Sequence, residues 1–302
     1  MKAYIFPGQG SQFPGMAKEI YESCPHARRL LDEADHILGY SITDMMFHGT
    51  ADDLRQTVVT QPAVFLHSVV MALSSPDFRP DMVAGHSLGE YSAIVAAGAL
   101  SFEEGLELVS VRANAMQKAS ETVKGSMAAI IGLCSDTVEE ICSSTEGIVT
   151  TANYNCDNQV VISGEKSAVE RVCAKTKAAG ARHVIMLSVG GAFHSPLMTQ
   201  AAGQLAAGIE AAAFKKPSCP VYQNVNALPS TDPEVIKTNL LTQLTSPVRW
   251  TQTIRNMISD GADTFIECGP GKVLQGFLRH MNGSAQDMDI CDGIRQSGCQ
   301  DD

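Results

Sequence analysis

A serine flanked by glycines is the first group in the chain that could do covalent chemistry. It lies in the G-x-S-x-G motif Gly85-His86-Ser87-Leu88-Gly89. An apolar strand-like run at 82–84 precedes the motif and an apolar helical run follows it, as a nucleophile elbow requires. The turn would expose the Ser87 hydroxyl, and the Leu88 N–H at the helix start could stabilise an oxyanion. The pattern predicts a serine nucleophile, although a purely structural strand-to-helix turn gives the same motif.

A serine hydroxyl needs a general base at neutral pH, so the eight histidines are the next candidates. His86 adjoins Ser87 and is expected to point away from it across the turn. His194 lies in a loop of small residues after a predicted strand, where functional side chains are often displayed. It also follows the serine, as the base does in hydrolases. His194 is therefore the strongest candidate for the general base, although the residue types alone do not exclude the other histidines.

Arg112 is a cationic candidate on the predicted helix 103–119. It borders an apolar face marked by Leu106, Val109, Ala113 and Met116. A partly desolvated guanidinium favours a planar anion that it can bind through two hydrogen bonds. The anion could be a substrate carboxylate or the Asp or Glu of a structural ion pair, and the sequence favours the two equally.

The composition of the chain argues against several classes of protein function. The chain has 302 residues, of which 44% are hydrophobic and 18% charged, and this excludes a disordered protein. The net charge of −11 disfavours binding to nucleic acid or an anionic membrane surface. No C-x-x-C pair is present and no apolar run reaches bilayer length, so we expect no metal site and no membrane span. With no export signal recognisable, a cytoplasmic protein is expected.

The middle of the chain carries the clearest architectural pattern. Residues 126–189 follow the order β-α-β-β-α-β, the split βαβ of a ferredoxin-like unit. We expect it to be an inserted subdomain, flanked by residues 1–125 and 190–302 as two halves of a larger α/β domain. The polar residues from about Asn282 onward are expected to form a loose tail.

Six dispersed motifs resemble the malonyl-CoA:acyl-carrier-protein transacylases of fatty-acid and polyketide synthesis. They occur in order along almost the whole chain, and together they are far more specific than any one. The motifs are Phe6-Pro7-Gly8-Gln9-Gly10-Ser11-Gln12, Gly85-His86-Ser87-Leu88-Gly89-Glu90, Val111-Arg112-Ala113 with Met116-Gln117, Gly191-Ala192-Phe193-His194-Ser195, Gln243-Leu244 with Ser246-Pro247-Val248, and Gly269-Pro270-Gly271-Lys272.

The resemblance implies an α/β-hydrolase-like core with a ferredoxin-like insertion. It implies an acyltransferase that moves malonyl from malonyl-CoA to the phosphopantetheine thiol of acyl-carrier protein in a ping-pong reaction. No bound cofactor is implied, since malonyl-CoA is a substrate and the acceptor protein carries the phosphopantetheine.

The resemblance also implies roles for individual residues. Ser87 would form the acyl ester, and His194 would act as general base and then as general acid. The backbone carbonyl of Gln243 would orient the His194 ring, and the backbone N–H groups of Leu88 and Gln9 would form the oxyanion hole.

Two further roles concern the substrate. Arg112 would clamp the free carboxylate of malonyl. Phe193, next to the expected base, would narrow the pocket against α-branched acyl chains, although a packing role alone is also open.

Alternatives share parts of these motifs. A serine esterase or thioesterase would keep the fold and release the acyl group to water. A malonate-decarboxylase transacylase subunit or a trans-acting polyketide loader would carry nearly the same motifs. A non-catalytic carrier-protein docking module would not need Ser87, His194, Arg112 and Gln9 together.

Overall fold

Two β-sheets and the helices packed on them make up the described part of the chain. The structure is a computed structural model that describes residues 1–281, 283 and 288–291. The strands are β1 (Lys2–Phe6), β2 (Met82–Gly85), β3 (Gly125–Ile131), β4 (Val149–Cys156), β5 (Gln159–Glu165), β6 (His183–Met186), β7 (Val221–Tyr222), β8 (Pro229–Ser230), β9 (Thr264–Glu267) and β10 (Asp289–Cys291).

The helices lie mostly between strands of the larger sheet. They are α1 (Lys18–Ser23), α2 (Pro25–Leu38), α3 (Ile42–His48), α4 (Thr57–Leu73), α5 (Gly89–Ala96), α6 (Phe102–Thr122), α7 (Ser135–Ser143), α8 (Lys166–Ala178), α9 (Thr199–Ala211), α10 (Pro233–Gln243), α11 (Trp250–Ser259) and α12 (Val273–Arg279), with 3₁₀ turns at Asp53–Arg55 and Pro196–Met198. Within the described ranges, no helix is both long enough and apolar enough to span a bilayer.

The larger sheet has the strand order β10-β9-β1-β2-β7-β8, parallel except for the edge strand β8. It is covered on both faces, which is why its strands are short continuous apolar runs. In β1, Tyr4 and Phe6 join the core on one face, whereas Ala3 and Ile5 join the core around Trp250 on the other. This sheet carries the predicted nucleophile at the carboxyl end of β2.

The smaller sheet is antiparallel, with the order β4-β5-β3-β6. Helices α7 and α8 pack on one face around Ile130, Val160 and Val172. Residues of the other face, such as Met127 and Val161, join the core of the larger sheet. The predicted order β-α-β-β-α-β is therefore present.

Two local predictions were wrong. The last strand of the smaller sheet was expected to reach residue 189 but ends at Met186, because the chain then turns to line a cavity with Leu187 and Val189. The expected tail contributes residues 289–291 as the edge strand β10, parallel to β9, where Ile290 packs on the core. The rest of that predicted tail lies outside the described residues.

Candidate active site

Ser87 occupies a sharp turn between β2 and α5. Its φ of 53° lies in the left-handed region, which is rare for a residue with a side chain. The flanking glycines permit this turn, because a Cβ on Gly85 would lie 1.9 Å from the Gly89 backbone. A Cβ on Gly89 would likewise lie 2.1 Å from the carbonyl oxygen of Phe6. Close backbone approach thus explains both glycines of the motif, as expected of a nucleophile elbow.

The His194 ring faces the Ser87 hydroxyl. Nε2 of His194 lies 2.7 Å from Oγ of Ser87, across 107 positions of sequence. The ring Nδ1 lies 3.1 Å from the backbone carbonyl oxygens of both Gln243 and Ser246. Two acceptors at Nδ1 require the proton there, so the lone pair of Nε2 faces Ser87 and can accept its hydroxyl proton.

Burial keeps the His194 ring neutral. Desolvation, with a smaller contribution from the positive charge of Arg112, lowers the pKa of His194 to about 3. His194 is only 3% exposed. At neutral pH this imidazole is therefore a proton acceptor and not an imidazolium.

Arg112 reaches the same hydroxyl from α6. Its Nη2 donates to Oγ of Ser87 at 3.0 Å and to the side-chain oxygen of Gln243 at 3.3 Å, while Nη1 donates to Gln61 at 2.8 Å. The side chain is 1% exposed, and among the described residues no carboxylate lies within ion-pair distance of it. A buried guanidinium held only by neutral acceptors retains its attraction for an anion, which disfavours the structural ion pair.

Gln243, at the end of α10, contacts the site through two different groups. Its backbone carbonyl accepts from the His194 ring. Its side chain instead accepts from Arg112 and donates to the backbone carbonyl of Ser87 at 3.0 Å. The residue thus links the candidate base, cation and nucleophile.

A cavity of about 160 Å³ opens beside Ser87. Gln9 and Leu88 both line it. Neither backbone N–H has a hydrogen-bond acceptor among the described residues. Two such N–H groups near a serine hydroxyl are the kind of donors that can stabilise an oxyanion.

Phe193 lines the same cavity and is 6% exposed. It also packs in the core of the larger sheet, so its position is compatible with both roles left open by the sequence. The other apolar residues of the cavity wall are Leu88, Met116, Met127, Val161, Leu187, Val189, Val273, Leu274 and Phe277. An acyl chain placed beside Ser87 would meet this apolar wall.

Three buried polar residues of the site were not predicted from the sequence. Gln61 on α4 binds Arg112, Asn224 contacts the Ser87 backbone, and Glu90 binds the backbone of Asn224. Gln61 has a weak sequence signal, since it is a polar residue in an apolar helical run. Asn224 follows a strand of the parallel sheet, at the edge where functional residues gather.

His86, the histidine next to the proposed nucleophile, has a different partner. It contacts Asn155 at 2.9 Å rather than Ser87. Across the described residues, no cluster of three or more His, Cys, Asp or Glu side chains could hold a metal ion.

Residues 3–294 match the family model of the acyl transferase domain. The malonyl CoA-acyl carrier protein transacylase of Bacillus subtilis is 42% identical over 295 residues, covering 96% of this chain and 93% of that protein. The crystal structure of an acyl carrier protein S-malonyltransferase from Vibrio cholerae superposes with a TM-score of 0.91 at 38% identity, covering 97% of each chain.

A third similar structure contains a malonyl-transacylase in complex with a type II PKS acyl-carrier protein. It has a TM-score of 0.89 and 36% identity, and it covers 96% of this chain and 94% of that one. Sequence and structure therefore agree over nearly the full length. This chain is an acyltransferase that belongs to the malonyl CoA-acyl carrier protein transacylase family.

Proposed function

We propose that the protein transfers malonyl from malonyl-CoA to the phosphopantetheine thiol of acyl-carrier protein, through an ester on Ser87. The observation that carries the proposal is that the Ser87 hydroxyl lies within hydrogen-bond distance of both His194 and Arg112 beside one cavity. The substrates named for the relatives support the choice of malonyl-CoA and carrier protein. The reaction would supply fatty-acid biosynthesis in the cytoplasm.

The first half-reaction acylates the serine. Nε2 of His194 takes the hydroxyl proton while Oγ of Ser87 attacks the thioester carbonyl. The N–H groups of Leu88 and Gln9 stabilise the resulting oxyanion. The C–S bond then breaks, and His194 returns the proton to the departing CoA sulfur.

The second half-reaction transfers the acyl group. The phosphopantetheine thiol gives its proton to His194, and its sulfur attacks the ester carbonyl. The bond between that carbon and Oγ of Ser87 breaks, and the serine regains a proton from His194. The enzyme is thereby returned to its starting state.

Arg112 selects the substrate in this scheme. The malonyl carboxylate binds the buried guanidinium, which at present has only neutral acceptors. Phe193 limits the width of the cavity next to the α-carbon of the acyl group. Charge and shape together would favour malonyl over acetyl and over α-branched acids.

The strand arrangement supports a finer fold assignment within this proposal. A mostly parallel sheet with the nucleophile at the carboxyl end of β2 fits an α/β-hydrolase-like core formed by residues 1–125 and 190–302. The order β4-β5-β3-β6 with two helices on one face fits a ferredoxin-like subdomain at 126–189.

Intact-protein mass spectrometry after mixing with malonyl-CoA tests the function. We expect one malonyl group per chain, mapped to Ser87, and its loss when holo acyl-carrier protein is added. Ser87→Ala should give no adduct. Release of free malonate in place of malonyl-carrier protein would favour a thioesterase and overturn the transferase proposal.

A further inference from the structure

The side chain of Asn224 forms two hydrogen bonds with the backbone of the nucleophile turn. Its side-chain oxygen accepts from the backbone N–H of Ser87 at 2.7 Å. Its side-chain nitrogen donates to the backbone carbonyl of Gly85 at 2.6 Å. One side-chain amide therefore hydrogen-bonds both the N–H of Ser87 and the carbonyl of Gly85. It belongs to a loop 137 positions from Ser87 in the sequence.

We propose that Asn224 is a positioning residue for the reaction, which sets the direction of the Ser87 hydroxyl by holding its backbone in the left-handed conformation. The inference rests on the proposed role of Ser87 as nucleophile. Asn224 is 1% exposed and is not among the residues that line the cavity, so it acts through Ser87 and not on the substrate.

The backbone of Ser87 needs such a support. A residue with a side chain at a φ of 53° persists only where surrounding contacts overdetermine its conformation. Gln243 supplies a second contact, from its side chain to the Ser87 carbonyl. The Ser87 N–H donates to Asn224 and is therefore not available to an oxyanion. The next N–H along the chain, that of Leu88, remains available for this role.

Glu90 fixes Asn224 in turn. Its carboxyl group accepts from the backbone N–H of Asn224 at 2.7 Å and from the side chain of Gln223 at 3.1 Å. Glu90 is fully buried on the first turn of α5, three residues after the nucleophile. These hydrogen bonds join the loop that carries Asn224 to the helix that begins at the nucleophile turn.

Rapid-quench mass spectrometry of malonyl-Ser87 formation tests the proposal. A misaligned nucleophile should slow acylation at saturating malonyl-CoA by about 10- to 100-fold in Asn224→Ala. Asn224→Asp keeps the acceptor for Ser87 but, when ionised, cannot donate to Gly85, so it should recover part of the rate. The half-saturating malonyl-CoA concentration should stay unchanged in both variants, because neither alters the cavity wall.

Asn226→Ala is the matched control, since Asn226 is an exposed residue of the same loop that accepts from the backbone of Leu228. If Asn224→Ala does not fold, the isosteric Asp variant carries the test alone. Acylation at the parent rate in the folded Asn224 variants would overturn the inference. An equal slowing in Asn226→Ala would also overturn it. So would a rise in the half-saturating malonyl-CoA concentration of the Asn224 variants. A parent protein that forms no malonyl ester would instead overturn the proposed function, and this inference with it.

Discussion

Nη2 of Arg112 lies 3.0 Å from the hydroxyl oxygen of Ser87, so a buried guanidinium touches the atom proposed to react. In the proposed reaction, a substrate carboxylate would compete for this guanidinium and leave the hydroxyl bonded to His194 alone. The same positive charge contributes to the low pKa of His194. If Arg112 binds the substrate carboxylate as proposed, the selectivity of the site and the basicity of His194 depend on the same side chain.

Arg112→Ala should reduce malonyl transfer far more than acetyl transfer. Charge-assisted hydrogen bonds contribute about 1.5–3 kcal/mol each, so kcat/KM for malonyl-CoA should fall about 100-fold. The kcat/KM for acetyl-CoA, which has no free carboxylate to bind Arg112, should fall less than about tenfold. Arg255→Ala, which removes a half-exposed arginine paired with Asp157, is the control. Unchanged discrimination between the two thioesters would disprove the clamp.

Gln243→Glu should weaken malonyl-CoA binding. The side chain of Gln243 faces Arg112, whereas only its backbone carbonyl faces His194. A new carboxylate would therefore pair with Arg112 and compete with the substrate, raising KM for malonyl-CoA about tenfold or more. Gln204→Glu places the same charge on an exposed position of α9. A KM equal to that of the parent would show that a carboxylate at position 243 does not compete with the substrate for Arg112.

The pH dependence of acylation should lack the usual histidine limb near 6.5. Burial, together with the charge of Arg112, lowers the pKa of His194 to about 3, so the base stays deprotonated through mildly acidic pH. We expect kcat/KM of the parent, which reports the free enzyme, to show no loss from His194 protonation as pH falls below 6.5. In Arg112→Ala, measured with acetyl-CoA, the acid limb should move to higher pH because one cause of the depression is gone. Burial also raises the pKa of Glu90 to about 7, so only a parent limb near 6.5 that persists in Glu90→Gln would contradict the buried, neutral ring.

Local patterns were sufficient to predict the sharp turn at Ser87 and the order of elements in the smaller sheet. The turn depends on Gly85 and Gly89, which lie close to Ser87 in sequence. The strand β10 was missed because a three-residue segment becomes a strand only by pairing with β9. Tertiary pairing of that kind has no local signal.

Contacts across long sequence separations explain what else the sequence left undecided. The choice between a structural ion pair and a substrate-binding role for Arg112 depends on its contacts with Gln61 and Gln243, which are 51 and 131 positions away. Asn224 and Glu90, separated by 134 positions, form their contact only in the folded chain. The role of a buried polar residue depends on its hydrogen-bond partners, and those partners are known only once the chain is folded.

Phe193→Leu should broaden the acyl selectivity. The ring lines the cavity next to the candidate base, and leucine leaves more room there while keeping an apolar core residue. Accommodating one extra methyl corresponds to about 1–3 kcal/mol, so the ratio of methylmalonyl to malonyl transfer should rise about tenfold or more. Phe214→Leu, a partly buried position outside the cavity, controls for core loosening. An unchanged ratio would leave Phe193 with its packing role alone.

Gly89→Ala should abolish the nucleophile turn, whereas Gly203→Ala should stabilise the fold. A Cβ at Gly89 would lie 2.1 Å from the carbonyl oxygen of Phe6, and backbone on that side cannot move without displacing β1 from the centre of the sheet. Gly203 is exposed inside α9, and a Cβ added there would meet no atom within 4 Å outside its own helical turn. Alanine there should add about 0.5–1 kcal/mol to the free energy of unfolding. Urea unfolding and malonyl-Ser87 formation would measure both effects, and a fully active Gly89→Ala would show that the turn does not need this close approach.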